Sequence, residues 1–152
     1  MWYSLRIHGF PEELVIWIKL LYDGTRSQVR TPNGTSQDFR VNVGVHQDSA
    51  LSPLLFILVM DAITKDIQKN VPWTLLYADD VMLAAKTKAE LEQQVQTWQD
   101  RLAYFGLRLN VKKTEYLTTD KNEQDTVCVS GEELPRTNAF KYLGSFIRND
   151  AP

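Results

Sequence analysis

Cysteine is almost missing from this sequence: Cys128 stands alone, so neither an internal disulfide nor a cysteine-rich zinc site can be assembled. A reducing compartment suits such a chain. Cys128 lies between Val127 and Val129 and reads as a buried strand residue rather than a nucleophile. Long hydrophobic runs are also missing. The longest, Leu54 to Met60, falls far short of the roughly 20 residues that cross a bilayer. Met1-Trp2-Tyr3-Ser4, followed by Leu5-Arg6, does not read as a secretory signal. The sequence therefore reads as intracellular, with no membrane partner.

A basic excess is the third absence. Lysine and arginine number 17 against 19 acidic residues, for a net charge of -2 and a pI near 5.7. A self-sufficient nucleic-acid binder usually carries the opposite balance, because phosphate contacts dominate affinity. Either this chain binds no nucleic acid alone, or its basic surface belongs to a longer protein. A site that gathers carboxylates around metal would also pull the balance toward acid. What is present is enough apolar material, 43% of 152 residues, for a domain with its own core.

The apolar pattern starts at once, with Trp2, Leu5 and Ile7, as though in the middle of an element. Gly9-Phe10-Pro11 interrupts it, and Pro11 is placed to open a helix whose apolar face is Leu14, Trp17, Ile18 and Leu21, closed by Asp23-Gly24. Residues 25–45 read as a hairpin: Gln28 to Thr31, a turn at Pro32-Asn33-Gly34, then Phe39, Val41, Val43 and Val45 alternating. Asp48 or Ser49 can cap a helix carrying Leu51, Leu54, Leu55, Leu58 and Ala62. Leu91, Val95, Trp98, Leu102 and Phe105 predict a long amphipathic helix ending at Gly106, with Glu92, Gln93, Gln96, Asp100 and Arg101 on its outer face. Short strand-like pieces follow at 107–109, 115–117, 126–129 and 140–147. The fold class is α+β, helices on a mainly antiparallel sheet.

Between these helices, Thr74 to Tyr77 and Val81 to Ala85 flank Ala78-Asp79-Asp80, a hairpin with an acidic tip. Aspartates are common in tight turns, and alone that structural reading would prevail. Here no glycine supplies the positive φ that hairpin turns favour, and two adjacent like charges repel unless a cation sits between them. Carboxylates at a rigid strand end suit Mg²⁺, which takes hard oxygen ligands and leaves positions for water and phosphate. In two-metal phosphoryl transfer such ions lie roughly 4 Å apart and stabilise the attacking and leaving oxygens.

Four boxes, in order, carry a resemblance. Tyr77-Ala78-Asp79-Asp80 resembles the YxDD box of reverse transcriptases. Gly44-Val45-His46-Gln47-Asp48-Ser49-Ala50-Leu51-Ser52-Pro53-Leu54-Leu55-Phe56 resembles the box that precedes it. Gly106-Leu107-Arg108-Leu109-Asn110-Val111-Lys112-Lys113-Thr114 is similar to the G-L-x-L-N-x-x-K-T box downstream, and Phe140-Lys141-Tyr142-Leu143-Gly144 to the hairpin that grips the primer. The wording of the LSPLLF and YLG segments resembles the non-LTR retrotransposon branch. The resemblance implies a partial polymerase palm over residues 1–152, with 138–150 as the primer-grip hairpin. It implies Mg²⁺ as cofactor, with RNA template, DNA primer and dNTP as partners. Asp79 would ligate both metals and Asp80 would be its less critical neighbour. Tyr77, Ala78, Gln47 and Asp48 would border the nucleotide. Ser52 and Pro53 would begin the helix behind it. Lys113, with Lys112 as rival, would reach the triphosphate, and Tyr142, Leu143 and Gly144 would touch the primer.

Two departures qualify this. In the family another strand, bearing the second essential aspartate, precedes the segment that Met1-Trp2-Tyr3-Ser4-Leu5-Arg6 resembles. The expectation is a palm without fingers or that strand, inactive unless an N-terminal segment supplies it in cis or trans. Asp48 also stands where the family pattern has glycine, setting a negative charge beside the triphosphate position, although an aspartate there also caps a helix. The second reading is a non-catalytic nucleic-acid-binding or interaction module.

Overall fold

A computed structural model describes residues 1–46 and 49–150. Backbone contacts gather the chain into two compact units, Met1–Ala62 and Ile63–Pro152. Both mix helices with antiparallel strand pairs, in keeping with the α+β expectation. Among the described residues the strands form five separate two-stranded sheets rather than one continuous sheet.

In the first unit, α1 (Trp2–Ile7) and α2 (Glu12–Tyr22) flank the Gly9-Phe10-Pro11 break, with Pro11 at the N-cap of α2. Leu5, Val15 and Leu55 form the buried centre, and Trp2, Phe10, Ile18, Tyr22, Leu51 and Leu58 pack around it. The buried stripe of α2 is thus Val15, Ile18 and Tyr22, spaced by three and four residues. Of the face expected from sequence only Ile18 is packed, while Leu14, Trp17 and Leu21 are exposed. Both stripes have helical spacing, so periodicity could not choose between them. Helix α3 (Ser52–Thr64) buries Leu55, Met60 and Ile63. Before it, Ser49 Oγ accepts the Leu51 N–H at 3.3 Å, a capping role of the kind expected of Ser49. The other candidate cap, Asp48, lies outside the described residues.

The hairpin of residues 25–45 exists in a different register. β2 (Arg30–Thr31) pairs with β3 (Gly34–Thr35), and β1 (Arg26–Ser27) pairs with β4 (Phe39–Arg40). Ser36 N–H donates to the Val29 carbonyl. Two residues, 28 and 29, therefore face three, 36 to 38, which is a bulge. The extra residue ends the alternation predicted through Val43 and Val45, and both lie outside the strands.

The second unit is organised by α4 (Lys88–Tyr104). Thr87 caps it, accepting the Glu90 N–H at 3.3 Å, and Gly106 with φ +76° follows its end. Val95 packs with Tyr116, Val127, Val129 and Leu134, while Trp98 and Leu102 are also buried. Phe105, expected on the same face, is 48% exposed. The paired strands are β5 (Thr74–Tyr77) with β6 (Asp80–Leu83), β7 (Cys128–Val129) with β8 (Glu132–Glu133), and β9 (Ala139–Tyr142) with β10 (Ser145–Arg148). Residues 107–109 are irregular, and Tyr116 meets Arg136 in an isolated parallel bridge.

Cys128 is exposed, contrary to expectation. Alternation buries Val127 and Val129 and turns the residue between them outward. Nor is the outer face of α4 merely solvated. Glu92 Oε1 accepts the Cys128 N–H at 3.4 Å, and Gln96 Oε1 accepts the Ser130 N–H at 3.3 Å, so both hold the β7 edge. Arg101 donates to both Asp66 oxygens, at 2.6 and 2.7 Å, and to the Ile63 carbonyl at 2.8 Å.

Trp98→Ala should lower the unfolding free energy by about 3–5 kcal/mol, measured by urea titration. The Arg101 hydrogen bond, above all else, holds the Asp66 carboxyl below its ordinary value. A depressed carboxyl stabilises the fold above its unfolded value of about 3.9. That contribution is lost as pH falls through the folded value. Stability of the wild type should therefore decline in this acid range, and the Arg101→Met curve should be flatter there.

Candidate functional site

Tyr77 and Asp80 are cross-strand partners, which leaves Ala78 and Asp79 as the two-residue loop of the β5–β6 hairpin. Ala78 takes φ +51°, a left-handed backbone that costs an L-residue roughly 1–2 kcal/mol. This resolves the missing glycine: alanine accepts the strained position. The base of the hairpin is fixed. Thr74 is buried and its Oγ1 accepts the Lys69 N–H at 3.0 Å, while Leu83 packs against the Val95 cluster.

The tip is open. Tyr77 is 63% exposed, and Asp79 and Asp80 are exposed. Among the described residues neither aspartate side chain has a hydrogen-bond or ion-pair partner. Other acids in the chain are engaged: Asp61 with His8, Asp66 with Arg101, and Asp125 with Lys88.

The β9–β10 hairpin turns at Leu143 (φ +50°) and Gly144 (φ +86°), a turn with both central residues left-handed. Tyr142, just before it, is half-buried. Burial first, and then the negative charge of Asp80, hold its hydroxyl above its ordinary value. Tyr142 thus lies within electrostatic reach of Asp80. Lys113 closes a 3-10 turn, Val111–Lys113, and like Lys112 is exposed. No ion pair joins it to Asp79 or Asp80 among the described residues.

In the first unit Ser52 is the first residue of α3. It is buried, and its hydroxyl donates to the His46 carbonyl. Pro53 follows it, exposed, at a helix position where a missing N–H costs nothing. His46 stacks on Tyr22 with ring centroids 4.1 Å apart. Thr25 Oγ1 donates to the Tyr22 carbonyl and lies 3.2 Å from His46 Nε2, from which it can accept. The segment entering the second box is therefore tied down by Ser52, Tyr22 and Thr25. Gln47 and Asp48 lie outside the described residues.

The acidic tip offers adjacent, unpartnered carboxylates on a fixed hairpin, a donor set that suits a hard cation taking one or two carboxylates and completing its shell with water and phosphate. Among the described residues no group of three or more His, Cys, Asp or Glu side chains could hold a metal.

Comparison with known proteins identifies the family. Residues 2–147 match the family described as reverse transcriptase (RNA-dependent DNA polymerase), and the chain belongs to it. It is 29% identical over 160 residues to the Pol polyprotein of the type-2 retrotransposable element R2DM of Drosophila melanogaster, covering 93% of this chain and 15% of that protein. It is 28% identical over 169 residues to the Pol polyprotein of the type-1 retrotransposable element R2 of Nasonia vitripennis, covering 98% of this chain and 16% of that protein. The chain thus spans about a sixth of these relatives' length, and both agree with the non-LTR retrotransposon resemblance of the four boxes. Among the described residues, no helix is long and apolar enough to cross a membrane.

Relieving the left-handed alanine gives a direct test of the turn. Ala78→Gly should raise the unfolding free energy by up to about 1 kcal/mol, whereas Ala78→Val should lower it by about 1 kcal/mol or more, both read from urea midpoints.

Proposed function

We propose that this chain is part of the palm of a retrotransposon reverse transcriptase and contributes one side of its two-metal site, the rest coming from polypeptide outside these residues. The observation that carries the reading is the unpartnered Asp79–Asp80 pair at the tip of an anchored hairpin, in a chain of this family. Asp79 and Asp80 would hold Mg²⁺, which when bound supplies positive charge against the attacking 3′-oxygen and the leaving pyrophosphate.

The chain's own groups have definable tasks. Asp79, at the apex, faces outward from both strands and can bridge toward carboxylates on another segment. Asp80, at the start of β6, adds the second negative charge. Tyr77, mostly exposed at the end of β5, offers a ring to a base. Ala78, whose side chain is a single methyl, leaves the apex approachable, and Lys113 supplies a cation for triphosphate. Tyr142, Leu143 and Gly144 form a tight turn near Asp80, suited to holding a primer end beside the metals. Gln47 and Asp48 would border the nucleotide, with Asp48 opposing its charge, and Ser52 and Pro53 would fix the helix behind.

No third ligand joins Asp79 and Asp80 among the described residues, so the 152-residue chain should not extend a primer by itself. Incubation with an RNA template, annealed DNA primer, dNTPs and Mg²⁺ should give no product. Adding an N-terminal polypeptide of the same element should give Mg²⁺-dependent extension that Asp79→Asn removes. Extension by the chain alone would overturn the shared-site reading, and extension that survives Asp79→Asn would overturn the assignment of the metal ligand.

A further inference from the structure

The β1–β4 hairpin contributes little to any core. Every residue from Arg26 to Arg40 is exposed, so apolar burial does not account for it. The arm is held by its own backbone bonds: the β1–β4 and β2–β3 pairs, Ser36 N–H to the Val29 carbonyl, and Val41 N–H to the Thr25 carbonyl.

Its charge is opposite to that of the chain. Residues 25–45 hold three arginines, Arg26, Arg30 and Arg40, against a single acid, Asp38, a local net of +2 in a chain of net -2. Arg26 and Arg40 are direct cross-strand partners, so their side chains leave the same face about 5 Å apart at Cβ. Like charges opposed in this way destabilise a pair. Asp38 binds Arg26 and offsets one of them. Arg40, beside it, and Arg30, nearer the tip, have no ion-pair partner among the described residues. Such an arrangement accepts an external anion, and arginine's planar fork suits phosphate. Ser27, Gln28, Thr35 and Gln37 carry no side-chain hydrogen bond among the described residues, leaving neutral groups free to meet sugar hydroxyls.

We propose that this hairpin is an RNA-binding arm, in which Arg40 and Arg30 contact successive backbone phosphates of one strand and Arg26 joins them as Asp38 yields. The proposal rests on the polymerase reading only for the choice of RNA as occupant. The arm is separate in sequence from the acidic tip and from the Tyr142 turn. Arg26 and Arg30 are four residues apart, about 13 Å along an extended strand, so the arginines follow a polymer rather than converge on one small anion.

The test is fluorescence anisotropy of the full chain with a labelled single-stranded RNA, and with DNA of the same sequence, across a salt series. Mg²⁺ and nucleotides are left out, so a chain without polymerase activity still reports. RNA should bind several-fold tighter than DNA. Arg30→Gln with Arg40→Gln should weaken RNA binding at least tenfold. The slope of log affinity against log salt should fall by about 0.7 for each arginine removed. Lys65→Gln with Lys121→Gln, the same change in net charge elsewhere, should leave affinity within twofold. Asp38→Asn should tighten binding a few-fold, the reverse of what loss of a purely structural ion pair would produce. Unchanged RNA binding in the double arginine variant overturns the proposal, as does equal loss in the lysine control, weaker binding by Asp38→Asn, or equal affinity for RNA and DNA.

Discussion

Pairing Leu76 with Val81 and Tyr77 with Asp80 leaves two residues to reverse the chain, and the site's chemistry depends on that register. A slip of one residue would turn each side chain to the opposite face. Leu83 would leave the Val95 cluster and the apex would no longer fall on Asp79. The register is held from the base, by buried Thr74 on the Lys69 amide and by Leu83 against α4. The left-handed alanine at the apex is the conformational cost of a two-residue loop without glycine. Strain at the tip is tolerable because the base is anchored.

That geometry shapes the electrostatics. Asp61, Asp66 and Asp125 each meet a basic side chain within their own unit, so they are partnered inside the fold. Asp79 and Asp80 repel each other and have no ion-pair partner among the described residues, which leaves their charge free for the cation of the proposed site. Tyr142 is held above its ordinary value by burial first and by the Asp80 charge second. The same contrast separates the arginines. Arg101 is fully engaged at the end of α3 and Arg6 pairs with Glu12, whereas Arg30 and Arg40, on an arm that buries little, have no ion-pair partner among the described residues.

Much of this was legible in the sequence where one signal dominated. The α4 helix was readable because Val95, Trp98 and Leu102 leave one choice of face, and the acidic hairpin because two apolar runs bracket two charges. Legibility failed where two answers satisfied the same pattern. On α2, apolar residues occupy nearly the whole circumference, so the packed stripe of Val15, Ile18 and Tyr22 depends on where Leu5 and Leu55 lie. For Cys128, the strand was correctly seen but its phase was not, because flanking valines are equally compatible with either. Glu92 and Gln96 looked solvated since no local pattern reveals a strand edge brought beside a helix from more than thirty residues away. The bulge opposite Val29 was invisible for a related reason: one extra residue changes register without changing composition.

Net charge by itself decides little about partners, and the reason is physical. At physiological ionic strength the Debye length is about 8 Å, shorter than the hairpin arm, so a phosphate at Arg40 responds to charges near it and little to the chain's total. A balance of -2 is therefore compatible with one surface that attracts a cation and another that attracts a polyanion, provided sequence keeps them apart. Here they are apart by construction. The acids of the tip are adjacent in the chain, and three of its arginines lie within fifteen residues, in the hairpin arm. Each hairpin leaves charge over: Asp79 and Asp80 have no ion-pair partner among the described residues, and Asp38 offsets only Arg26. In the proposed reading, Mg²⁺ at the tip and RNA phosphate at the arm would call for that segregation, because mixed charges would neutralise one another.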